Sequence, residues 1–129
     1  MKVLVDTSVW SLALRRKSSN SVSQKLIDLI HATQAVLIGP IRQEVLSGIS
    51  DEKAFLNLKS KLDAFDDLSI STQDYEMAAQ FFNICRSKGI QGSHTDFLIC
   101  AVAVSNNLHI FTTDKDFELF DKHLPIRLF

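Results

Sequence analysis

Short apolar runs without polar alternation recur along this chain, separated by segments of helical spacing, and this pattern restricts the fold more than any other feature. "KVLV" (2–5), "AVLIG" (35–39), "LSI" (68–70) and "HIFTT" (109–113) read as strands, and "IRLF" (126–129) as a further edge strand. Helices are expected over 7–16, with Val9, Leu12 and Ala13 on one side, and over 23–32, with Leu26, Ile27, Leu29 and Ile30 inward. A third runs from Pro40 to Gly48, since proline suits a helix start. A fourth covers 51–65, with Phe55, Leu58, Leu62 and Phe65 at spacings of three and four. The remaining ones cover 72–89, starting on a capping Thr72, the almost wholly apolar 95–107, and 114–123. Strands that do not alternate are buried on both faces, as in a parallel sheet covered by helices. The expected fold class is therefore α/β, with a central, mostly parallel sheet of four to five short strands and helices on both faces. The 129 residues suffice for one domain over 1–129 and contain no repeat or linker.

Composition narrows the function classes. With 46% hydrophobic and 22% charged residues the chain falls in the globular range. No apolar run approaches the ~20 residues of a membrane span, and the opening apolar stretch is too short for a signal peptide. A soluble, cytoplasmic protein is expected. Cys85 and Cys100 lie in apolar helical contexts and read as buried, reduced thiols. The four histidines are scattered, which gives no zinc pattern. A formal net charge of −1 lacks the basic excess that advertises nucleic-acid binding, so a polyanion would have to be held by a local patch or by cations.

The acids supply the functional signal. In open parallel sheets, ligands bind beyond the carboxyl ends of the strands. Asp6 follows the first strand, Glu44 lies in the helix after the second, and Asp114 and Asp116 follow "HIFTT". Asp96 opens the apolar helix 95–107, whose start is expected at the same edge. Singly, each has a structural explanation: Asp6 and Asp114 as helix caps, Asp96 as a partner of a helix dipole, Glu44 as a solvated residue. Together they would repel, at ~3 kcal/mol for two unit charges ~5 Å apart at an effective dielectric of 20. Such a cluster is tolerable if partly protonated or if it holds a hard cation. Mg²⁺, with Mn²⁺ as a substitute, takes oxygen ligands of this kind, and phosphodiester hydrolysis is the chemistry that uses them.

The blocks "VLVDTSVW", "RQEVLSG", "GSHTDFLICAVA" and "FTTDKDF" resemble the four acidic blocks of the PIN-domain ribonucleases, and within them the VapC-type toxins of toxin–antitoxin pairs. The resemblance spans essentially the whole chain. It implies a PIN-like three-layer α/β/α sandwich with an acidic Mg²⁺ pocket at the strand ends. It further implies a Mg²⁺-dependent endoribonuclease whose catalytic acids are Asp6, Glu44, Asp96 and Asp114. Metal contact would fall to these four and to Asp116, with Thr7 and Thr113 as supporting hydroxyls beside Thr112. The implied partners are RNA, a small antitoxin protein and a second copy in a homodimer, with no membrane. Early-helix residues Val9, Trp10, Leu12 and Leu14 would offer the antitoxin surface. Lys115, Arg15, Arg16 and Lys17 are the first candidates for RNA contact. Two other readings compete: a noncatalytic RNA-binding or interaction module of the same fold, and a receiver-type phosphoacceptor domain. The second fits less well, because it wants adjacent acids after strand one, where Thr7 and Ser8 stand.

Overall fold

The computed structural model describes residues 1–15 and 20–129. The chain runs β1 (Val3–Val5), α1 (Thr7–Arg15), α2 (Ser21–His31), β2 (Ala35–Val36), α3 (Gly39–Leu46), α4 (Glu52–Leu62), α5 (Thr72–Ser87), α6 (His94–Ser105), β3 (His109–Phe111) and α7 (Asp116–Asp121). The strands pair in the order β2–β1–β3, all parallel, with Val3 and Leu4 opposite Ala35 and Val36 on one side and Val3, Leu4 and Val5 opposite His109, Ile110 and Phe111 on the other. β1 is central and its three side chains are fully buried. That accounts for the lack of alternation in "VLV", since both sides of the strand face protein.

The sheet is narrower than the sequence suggests. Among the described residues, 68–70 forms no strand. Asp67 makes one parallel bridge to Leu37, closed by the Leu68 N–H donating to the Leu37 carbonyl at 2.9 Å. The chain then turns away, because Ser71 is needed to start α5. At the other edge 126–129 contributes a single bridge, Leu128 to Ile110. Three strands carry the ladder, and one bridge at each edge lengthens it. Two further expectations fail. Ile27 points outward and is 41% exposed, while Leu26 and Leu29 carry the inner face of α2. The cap of α5 is Ser71, not Thr72.

α6 sits in the middle of the core. Its seven residues Phe97–Ala103 are all buried, which explains a helix with no polar side. It packs along α5 and against β3. Cys85 and Cys100 are free and buried, as expected. Among the described residues no helix is long and apolar enough to cross a membrane. The parallel order sends the carboxyl ends of all three strands to one edge, and Asp6 leaves the central strand there.

Candidate active site

Asp6 is 6% exposed. Its N–H donates to the Phe111 carbonyl at 2.9 Å, tying the end of β1 to the end of β3. Its carbonyl accepts the first helical bond of α1, from Val9 at 3.0 Å, but its carboxylate does not cap the helix. Oδ2 instead accepts from the hydroxyls of Ser8 (2.9 Å) and Thr112 (2.8 Å). Ser8 Oγ also accepts the Thr113 N–H at 3.0 Å, and Thr112 Oγ1 accepts the Asp114 N–H at 3.0 Å. Two hydroxyls thus knit the loops after β1 and β3 together around one carboxylate. Ser8 was missed as a site residue. Its signal is the third hydrogen-bonding residue of "DTS", of which the sequence reading takes only Asp6 and Thr7 as site residues.

The other acids are held in the same economical way. Glu44, exposed on α3, accepts from Thr7 Oγ1 at 3.0 Å through Oε1, which fixes it to the start of α1. Asp96 is the third residue of α6 and forms a capping box with Ser93: Oδ2 accepts the Ser93 N–H at 3.0 Å and its own N–H donates to Ser93 Oγ at 3.0 Å. Asp114 Oδ1 accepts the Asp116 N–H at 2.9 Å, an Asx-type turn that leads into α7. Among the described residues, the second carboxylate oxygen of Asp6, Glu44, Asp96 and Asp114 has no protein donor. One oxygen orients each side chain and the other stays available.

Electrostatics shows which acids are neighbours. Burial pushes the Asp96 carboxyl above its ordinary value, its two bonds to Ser93 oppose the rise, and the charges of Asp114 and Asp6 add to it. The charges of Asp6 and Asp114 thus reach Asp96 from two other parts of the chain, and among the described residues none of the three is ion-paired. Glu44 lines a polar recess of about 440 Å³ together with Thr7, Ser11, Gln43 and Thr95, the chain neighbours Thr7 of Asp6 and Thr95 of Asp96 among them. Asp116 stands apart: it is exposed on α7 and reaches the site through its amide, not its carboxylate. Lys115 is exposed and Thr113 contributes its backbone. Arg15 ends α1, while Arg16 and Lys17 fall outside the described residues. Among the described residues no three His, Cys, Asp or Glu side chains are grouped so that they could hold a metal ion. The donors are nonetheless all hard oxygens, and a Mg²⁺ site ordinarily keeps several waters and uses one or two carboxylates directly.

The sequence model of the PIN domain matches residues 3–123. The chain belongs to the PIN-domain family. A receiver-type domain is a different family, so that reading falls. VapC ribonuclease Mb1587 of Mycobacterium bovis is 28% identical over 120 residues, covering 91% of this chain and 90% of that protein. Ribonuclease VapC11 of Mycobacterium tuberculosis matches to the same extent. Among solved structures, a chain of FitAcB from Neisseria gonorrhoeae superposes with a TM-score of 0.78 at 22% identity, over 98% of this chain and 96% of that one. A chain of DNA-bound VapBC from Salmonella typhimurium gives 0.80 at 18% identity, over 100% and 97%. These structures show a PIN fold, and the α/β architecture matches.

Proposed function

We propose that this PIN protein, acting as a single domain over 1–129, is a divalent-metal-dependent endoribonuclease, the toxin of a toxin–antitoxin pair. The observation that carries the reading is the placement of Asp6, which leaves the central strand at the carboxyl end of the parallel sheet, buried, with one carboxylate oxygen held by Ser8 and Thr112, in a chain that the PIN-domain model matches over 3–123. Like charges brought together in a half-buried pocket destabilise the empty site and favour a cation there. Asp6, Asp96 and Asp114 would hold Mg²⁺ or Mn²⁺, with Glu44 at the rim and Asp116 at most through water. A bound divalent cation supplies Lewis acidity and charge neutralisation for phosphodiester hydrolysis. The protein's part is orientation. Ser8 and Thr112 pin Asp6, Ser93 pins Asp96, the Asp116 amide pins Asp114, and Thr7 pins Glu44. Each bond fixes one oxygen and leaves the other without a protein donor among the described residues.

The antitoxin reading has support beyond the relatives' names. An apolar recess of about 360 Å³ lies between α1, α2 and α4, bounded by Trp10, Leu14, Leu26, Ile27 and Phe65. The outward Ile27 and Leu14 border it, and two buried polar atoms in its wall, Trp10 Nε1 and Ser23 Oγ, have no partner among the described residues. A partner segment with an apolar face and a hydrogen-bonding group fits such a surface. A cytoplasmic location and a homodimer belong to the same proposal. The test is cleavage of tRNA, rRNA and mRNA pools by purified protein. Cleavage should need Mg²⁺ or Mn²⁺, stop with EDTA and collapse in Asp6→Ala and Asp96→Ala. Wild-type protein that cuts none of these pools with either ion refutes the nuclease.

A further inference from the structure

A second recess, of about 310 Å³, continues from the polar one beside Glu44; the two share Pro40 and Thr95. Its lining is mostly apolar. Tyr75, 55% exposed in the first turn of α5, and His94, the first residue of α6, stand on it, with small Ala78 and Ala79 and the buried Leu98 between. The His94 ring is a built platform. It stacks on Phe82 at 5.0 Å and 15°, and Phe82 is itself set edge-on against the core residue Phe97 at 5.6 Å and 79°. The Arg86 guanidinium lies 5.2 Å from the Phe82 ring centre. Phe82 thus backs the imidazole, while the His94 side chain as a whole remains exposed.

We propose that the trough between Tyr75 and His94 is a nucleobase subsite, in which a base next to the phosphate held at the acids stacks on these rings. The proposal rests on the RNA-cleavage reading. Two properties point to an unstacked base as the occupant. The trough adjoins the polar recess on which Glu44 stands, sharing Pro40 and Thr95 with it, so a strand lying along Glu44 enters the trough. The chain also carries a net charge of −1, so attraction to the backbone is weak and affinity has to come from contacts that do not depend on charge. Base–aromatic stacking is such a contact and tolerates any sequence, because every base has a π-face. Single-stranded RNA offers splayed bases of this kind, whereas a duplex does not.

A short single-stranded RNA carrying fluorescent aminopurine at each position in turn, mixed with wild-type protein and Mg²⁺ in a stopped-flow cell, tests this. The emission should be quenched at one position before cleavage. Tyr75→Ala should lose that quench and raise KM about tenfold with kcat nearly unchanged, and Tyr75→Phe should behave as wild type. Raising the salt concentration should leave the Tyr75→Ala ratio unchanged, since stacking is not ionic. Equal quenching and equal KM in Tyr75→Ala overturn the subsite while leaving the nuclease intact. A wild-type protein that cuts nothing yet quenches in a Tyr75-dependent way removes the nuclease and keeps the subsite. If Tyr75→Ala instead dissociates a wild-type dimer in sedimentation velocity, the trough belongs to a second copy and the base-binding proposal is wrong.

Discussion

Two neighbouring helices of this protein begin with the same device, yet the two carboxylates that close it meet opposite surroundings. In α5, Asp74 Oδ2 accepts the Ser71 N–H at 2.9 Å and Ser71 Oγ accepts the Asp74 N–H at 3.2 Å. In α6, Ser93 and Asp96 make the same pair of bonds, both at 3.0 Å. The difference lies in the second oxygen. Asp74 Oδ1 accepts from Ser105 Oγ at 2.6 Å, which clamps the start of α5 to the end of α6. Burial pushes the Asp74 carboxyl up, but the bonds from Ser105 and Ser71 outweigh it and leave it below its ordinary value. Asp96 Oδ1 meets no donor among the described residues, and burial, with the charges of Asp114 and Asp6 added, raises its carboxyl against the two bonds to Ser93. A capped helix start is thus a fully satisfied staple in one place and an open ligand in the other.

The largest expected contrast is in activity. Asp96→Asn keeps an acceptor for the Ser93 N–H but removes the charge, and should reduce RNA cleavage ~10²-fold or more, the scale of a lost metal-ligand interaction. Asp74→Asn should leave kcat within a small factor. Equal losses in the two variants, measured as kcat on one RNA, would erase the distinction. The next contrast is in stability. Asp74→Ala removes both the Ser105 clamp and the carboxylate half of the α5 capping box and should cost about 2 kcal/mol in urea unfolding. Without metal, Asp96→Asn should not lower the melting temperature and should raise it slightly, because it removes repulsion from Asp6 and Asp114. A clear drop would mean that Asp96 is a staple like Asp74.

Metal sharpens the same comparison. Mg²⁺ or Mn²⁺ should raise the melting temperature of wild type and of Asp74→Asn but not of Asp96→Asn. The smallest effect is in pH dependence, where the two signs oppose. Asp74, lowered when folded, contributes stability that is present above its ordinary value and lost as pH falls through the lower folded one. Asp96, raised when folded, takes up its proton more readily in the native state, so metal-free stability is gained as pH falls through its raised value. Urea unfolding of the two Asn variants across acid pH in EDTA should show slope changes of opposite sign relative to wild type.

Much of this arrangement was legible in the sequence. The unalternating "VLV" marked a strand buried on both faces, and Asp6 directly behind it marked the ligand edge. The two capping boxes are not part of the sequence reading, although "STQD" and "SHTD" each carry a serine three residues before an aspartate. Thr72 was preferred over Ser71 because the aspartate partner was not counted. The two apolar side chains of 68–70 suggest a strand, but pairing needs enough chain before the next helix, and here the cap of α5 at Ser71 claims the segment. Ile27 fits the helical period but faces the recess beside Trp10, since periodicity gives a face only to within one side chain. Asp116 could not be separated from Asp114 in "TTDKDF". The Asx-type turn separates them by engaging the amide of one with the carboxylate of the other.

The order of apolar runs and helical segments determined a parallel sheet wrapped by helices, because burial on both faces leaves no alternative for strands without alternation. It also determined that acids would leave the strands at one edge, since parallel strands share a direction. Which carboxylates would feel one another's charge, and that the second oxygen of Asp74 would receive a hydroxyl while that of Asp96 would not, was decided only in three dimensions. Hydrogen bonding, desolvation and charge repulsion act through space over a few ångströms, between residues that the chain keeps tens of positions apart.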